Sequence, residues 1–266
     1  MASRTKQKEE ARARRLAEEQ ARAERMRRQR RLRMVGGTVL AAVVVVVALV
    51  LINISGSKKG GIQTGTQVNA TVTAVNSLLS GIPQSGGTLG NPNAPVTMTY
   101  YGDLKCPVCQ AFTLQGGFPQ LVSNDVRSGK VKVVYSAFCT ATCGGPDPSE
   151  FPTQQAAALA AGKQNRFWQF AELFYRQQGS ETDAYVTEAF LDGLARQVTG
   201  LDFAQWKTAR GDPNLASQVN SEQSQGRAIG VPGTPTLVFK GPKGQAVAQG
   251  AVPTYVQLEN AVKQVS

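Results

Sequence analysis

The sequence predicts a mixed α/β domain, and three observations predict it. Two β-branched strand patterns, residues 96–103 and 131–138, flank one helical pattern, which at this spacing implies a right-handed crossover and parallel strands. Roughly ninety residues of helical periodicity follow. The chain then closes on a hairpin and one last helix. At 266 residues it is long enough for one good-sized domain with a real core.

In chain order, residues 1–33 form a basic tail. The formal charge is +11, but residues 1–34 hold 13 Lys/Arg against 5 Glu, so the remainder is close to neutral. Basicity therefore belongs to the tail, where Glu10–Arg14, Glu18–Arg22 and Glu24–Arg28 are helix-supporting i,i+4 pairs. No aromatic residue is interleaved there to stack on bases, so we read a topology signal resting on anionic lipid and expect no nucleic-acid partner. Residues 34–54 begin a run, Met34 to Ser57, without one charge. That length crosses a hydrocarbon layer of about 30 Å. The run is too long, and its leader too extended, for an ordinary cleavable signal, which remains the alternative. We expect a single transmembrane anchor with a cytoplasmic N-terminus and everything beyond it extracytoplasmic, because thirteen entering cations outweigh Lys58 and Lys59. Residues 55–87 read as a flexible linker with a short helix carrying Val68, Val72, Val75 and Leu79 on one face.

The main domain is expected over residues 88–266. "VTMTYYGD" places Val96, Met98 and Tyr100 on one face of a strand. "QAFTLQGGFPQLV" continues as a helix disturbed at Gly116–Gly117, and "VKVVYSAF" is the second strand. A helical insertion spans about residues 145–228, where Phe167, Phe170 and Phe174 fall at i, i+3, i+7 and are read as core. Thr236–Lys240, a Gly-Pro-Lys-Gly turn and a second strand make the hairpin. "PTYVQLENAVKQV" closes the chain as a helix opened by Pro253.

There is no histidine, which excludes Ser-His and Cys-His hydrolases, and no phosphate-binding glycine loop is visible. The chemistry rests on four cysteines: Cys106 and Cys109 in "CPVC", and Cys139 and Cys143 in "CTATC". A zinc site of four thiolates is one reading, but the wider second spacing and the ample core speak against it, and no metal or cofactor is expected. A structural disulfide is another. The redox reading has a physical argument. A cysteine just ahead of a helix faces unpaired N–H groups and the positive end of the dipole, which favour thiolate over thiol. Pro107 suits the first turn, where no N–H is needed. Cys106 is then the attacked sulfur and Cys109 the shielded one.

"GDLKCPVC", the long helical insert, "GTPT" and the final hairpin and helix together resemble the DsbA-like branch of the thioredoxin superfamily, and more narrowly its membrane-anchored bacterial members. The likeness covers roughly residues 88–266. It implies a thioredoxin-like fold and thiol–disulfide exchange with exported proteins that carry free thiols. It also implies a cis proline at Thr234–Pro235 pairing with substrate, and a membrane redox partner of the DsbB or vitamin-K-epoxide-reductase-like type. The expected function is disulfide formation. A reductase or isomerase, or a tethered peptide-binding or chaperone module, stay open as alternatives. One departure stands out: Val108 occupies the histidine position of the CPHC oxidases. Either it leaves Cys106 less acidic than in those members, with Asp103 opposing the thiolate and Lys105 favouring it, or it only shapes the peptide-binding surface. The second pair, Cys139 and Cys143, is either a structural staple or an electron relay.

Overall fold

The computed structural model describes residues 61–266; the basic tail and the apolar run of residues 34–54 lie outside them. Among the described residues, no helix is long and apolar enough to cross a membrane.

Thr66–Leu79 (α1) buries Val75 and Leu79, the inward end of the face read from the sequence. Here the structure departs from a free linker. Helix α1 packs on the helical insertion and its C-terminal carbonyls are held: Arg127 donates to Ser80 O at 2.6 Å and to Leu78 O at 2.8 Å. Gln84–Ser85 (β1) and Thr88–Leu89 (β2) form a tight hairpin where the sequence shows only turn chemistry. Strands of two residues carry no periodicity to read. They exist because β2 pairs with Val133 and Val134 across the sheet.

Val96–Gly102 (β3) and Val131–Ala137 (β4) are parallel, in register from Val96↔Val131 to Gly102↔Ala137. Between them run Pro107–Leu114 (α2), Phe118–Leu121 (α3) and a π-helical turn, Val122–Val126. The break at Gly116–Gly117 has a steric cause. A Cβ on Gly117 would stand 2.5 Å from Tyr255 N and 2.6 Å from the Thr254 carbonyl carbon, so only glycine lets the C-terminal helix approach. After a 3₁₀ turn, Ala141–Gly144, come five helices: Glu150–Gly162 (α4), Phe167–Gln177 (α5), Glu188–Gln197 (α6), Phe203–Ala209 (α7) and Pro213–Ala228 (α8). Thr236–Gly241 (β5) returns antiparallel to β3, and Gly244–Val247 (β6) completes the hairpin. Tyr255–Val265 (α9) closes the chain, starting two residues beyond the Pro253 expected from sequence because Thr254 takes the N-cap in a capping box with Gln257. The six strands run β1-β2-β4-β3-β5-β6, with β3 central.

Alternation along β3 sends neighbouring tyrosines to opposite faces. Tyr100 meets Phe112, Phe118 and Trp168, joining α2, α3 and α5 into one aromatic core. Tyr101 packs edge-on against Phe138, over which α8 passes. A Cβ on Gly226 would be 2.5 Å from that ring. Phe167, Phe170 and Phe174 are fully buried, as their spacing requires. The insertion has its own anchor in Trp206, which donates Nε1–H to Ala157 O at 2.8 Å. Both parallel strands therefore deliver their C-terminal ends, Gly102 and Ala137, to one edge under the insertion.

Candidate active site

At that edge the chain turns sharply. Cys106 N–H donates to Asp103 O at 3.1 Å, and Lys105 N–H donates to Asp103 Oδ1 at 3.0 Å, so the aspartate side chain folds the turn that presents the cysteine. Cys106 is the N-cap of α2 and Pro107 its first residue. The N-cap role is filled by sulfur: Cys109 N–H donates to Cys106 Sγ at 3.4 Å. Cys106 keeps 5% exposure and Cys109 none, so a reacting group meets Cys106 first. Both thiols are free.

The peptide Thr234–Pro235 is cis, and Cys106 Sγ donates to Thr234 O at 3.5 Å across 128 residues of sequence. Val108 is half-buried and packs against the core. Cys139 and Cys143 are joined in a disulfide just past the end of β4, so neither is available as a thiolate ligand for zinc. Thr140, inside that loop, lies 3.1 Å from Thr234, hydroxyl to hydroxyl. All eight residues singled out from sequence thus gather at one end of the sheet.

The two thiols are electrostatically unequal. The Cys109 side chain, as hydrogen-bond donor, holds Cys106 below the usual thiol value against the opposing effect of burial, helped by Thr234 and the Cys109 N–H. Burial pushes Cys109 well up, and the Cys106 sulfur adds to that. Asp103 acts as expected: its charge raises both thiols. Burial pushes its own carboxyl up to about 6. Lys105 departs from expectation. Its side chain is fully buried and its ammonium pairs with Glu150 rather than the thiol, and Glu150 also accepts from Val186 N–H at 2.6 Å. The charge adjacent in sequence is spent on the insertion.

Several site residues gave no signal that sequence reasoning used. Gln154 donates to Asp103 Oδ1 at 2.7 Å, and Gln178 donates to Leu104 O at 2.6 Å and Cys106 O at 3.2 Å. Gln110 donates to Tyr175 O at 2.5 Å, and Tyr175 OH to Asp103 O at 3.4 Å. The one legible cue was "TQQAAALAAG", a glutamine pair in an alanine-rich helix, since a buried amide needs a polar partner.

A thioredoxin family model matches residues 84–258. Disulfide bond formation protein D of Bacillus subtilis (strain 168) is 28% identical over 169 residues, 61% of this chain and 72% of that protein. The probable disulfide bond formation protein D of Bacillus anthracis is 25% identical over 155 residues, 58% of this chain and 69% of that one. Among solved structures, oxidised BdbD from Bacillus subtilis aligns with a TM-score of 0.57 at 23% identity, over 70% of this chain and 96% of its own. Chlamydia trachomatis DsbA aligns with a TM-score of 0.55 at 19% identity, over 67% and 90%.

Proposed function

The chain belongs to the thioredoxin family, as a DsbA-like thiol–disulfide oxidoreductase, and from that premise we propose that it forms disulfides in extracytoplasmic proteins through the pair Cys106–Cys109. A substrate thiolate attacks Cys106 Sγ in the oxidised pair. The new S–S bond forms as the Cys106–Cys109 bond breaks, and Cys109 leaves with the electron pair and takes a proton. A second substrate thiolate then attacks the substrate sulfur of this mixed disulfide and displaces Cys106 as thiolate. Two substrate thiols are oxidised, and the enzyme holds the two electrons as a dithiol.

The observation that carries the exchange chemistry is the asymmetry of the pair, and the likeness to disulfide bond formation proteins favours the oxidising direction. A Cys106 held below its ordinary value, at the start of a helix, is a good leaving group and is stabilised when reduced. The carbonyl of Thr234, 3.5 Å from that sulfur, marks where an extended substrate backbone would lie. Reoxidation then falls to a membrane partner of the DsbB or vitamin-K-epoxide-reductase-like type. The apolar run of residues 34–54 would hold the enzyme beside it, with the basic tail on the cytoplasmic face. The Cys139–Cys143 disulfide serves as a staple rather than a relay in this reading.

Two measurements on the full-length protein test this. Equilibration with glutathione buffers gives the potential of the Cys106–Cys109 pair, and a reduced dithiol peptide reports oxidation. An oxidising potential with stoichiometric peptide oxidation is expected. A strongly reducing potential with no peptide oxidation would move the assignment to a reductase, and no exchange in either direction to a binding module.

A further inference from the structure

The loop Cys139–Cys143 carries two threonines that the exchange reaction does not explain. Thr140 Oγ1 and Thr234 Oγ1 are 3.1 Å apart, and Thr234 is the residue whose carbonyl touches the Cys106 sulfur. Thr142 is buried at 1% exposure, and its hydroxyl stands beside Asp103 without closing a well-formed hydrogen bond; Thr142 Oγ1 and Asp103 Oδ2 are both without a partner. One five-residue loop thus sets a hydroxyl at each of the two groups that flank the redox pair.

The loop's own position is fixed from two sides. Cys139 N–H donates to Gln223 Oε1 at 2.8 Å and Ala137 N–H to Glu222 Oε2 at 2.6 Å, both from α8, which leads directly into the Thr234 segment. The disulfide closes the other side, across a separation of four residues. A staple that served stability alone would not need a side chain aimed at the cis peptide.

We propose that this loop is a positioning device for the redox pair. The Cys139–Cys143 disulfide holds Thr140 so that its hydroxyl donates to Thr234 Oγ1, leaving the Thr234 hydroxyl hydrogen free to turn toward the Cys106 thiolate. Either hydroxyl of the pair can donate; once Cys106 is ionised, the order Thr140 to Thr234 to sulfur turns each hydrogen toward the anion, and a chain of donors ending on an anion is mutually reinforcing. Thr140 is then a positioning residue acting through Thr234. The disulfide acts by fixing it rather than by exchanging electrons.

This rests on Cys106–Cys109 being the redox pair, and the test separates the two. The rate of iodoacetamide alkylation at Cys106 is followed against pH in the full-length protein, with the modified peptide identified by mass spectrometry. Thr140→Val is expected to move the midpoint up by a few tenths of a pH unit, the share of a charge-assisted hydrogen bond that a second donor supplies. Thr140→Ser keeps the wild-type midpoint. The double variant Cys139→Ser with Cys143→Ser moves it as Thr140→Val does, and adding Thr140→Val to that variant moves it no further. An unchanged or lowered midpoint in Thr140→Val overturns the proposal, as does a wild-type midpoint in the double-serine chain. A wild-type protein that oxidises no dithiol peptide instead overturns the reading of the redox pair itself.

Discussion

Replacing Asp103 with asparagine removes a negative charge from the floor of the site, and its effect on stability depends on pH in a calculable way. Asp103 has no exposed surface, accepts from Gln154 and Lys105 through Oδ1, and leaves Oδ2 unpartnered. Burial pushes its carboxyl from 3.8 to about 6. A carboxyl that holds its proton more tightly when folded favours the folded state fully below about pH 4, and that advantage is lost as pH rises through about 6. At about 1.4 kcal/mol per pH unit, the ionised aspartate costs the folded protein about 3 kcal/mol above pH 7. Asparagine keeps the Oδ1 acceptor and does not ionise. The variant should match the wild type near pH 4 and exceed it by up to about 3 kcal/mol at pH 7.5. The assay is urea denaturation of both full-length chains at pH steps from 4 to 8, under identical reducing conditions. Taking the difference cancels other buried acids, such as Glu172, which burial pushes up to about 7. A stability difference that stays flat across that range would refute the reasoning.

Three further outcomes follow from the same geometry. Cys109→Ser removes the sulfur that would release a partner from Cys106. With an added oxidised substrate, the Cys106 thiolate should therefore attack the substrate disulfide, expel one substrate thiolate and accumulate the mixed disulfide as a shifted band on a non-reducing gel; no such adduct is expected with Cys106→Ser. Lys105→Met leaves the Glu150 carboxylate buried with the Val186 N–H as its remaining donor, which should lower stability by about 3–5 kcal/mol, while adding Glu150→Gln recovers most of the loss in urea titrations. Val108→His restores a hydrogen-bonding or cationic neighbour and should lower the Cys106 alkylation midpoint by roughly 1 pH unit. An unchanged midpoint would mean that Val108 only shapes the surface.

How legible the site was in sequence depended on distance along the chain. Cys106, Pro107 and Cys109 could be placed because strand, turn and helix start lie within a dozen residues, and local capping rules act over that range. Thr234–Pro235 came from resemblance, since no local rule brings residue 234 to residue 106. Lys105 shows the limit of local reasoning. Beside Cys106 in sequence, it belongs in space to Glu150. The short hairpin β1–β2 is illegible in sequence for a related reason: two-residue strands exist only because a partner strand is already there.

By itself the sequence determined the strand–helix–strand start, the helical insertion, the closing hairpin and the presence of a CxxC at a helix N-terminus. Periodicity and capping are properties of neighbouring residues, so one chain displays them. Tertiary structure alone decided the rest of the electrostatics: which donors lower the Cys106 thiol, why Asp103 holds its proton to about 6, where the Lys105 charge goes, and that a loop threonine reaches the cis peptide. Burial and charge pairing are set by groups that arrive from elsewhere in the chain, and they act over ångströms of space rather than positions in sequence.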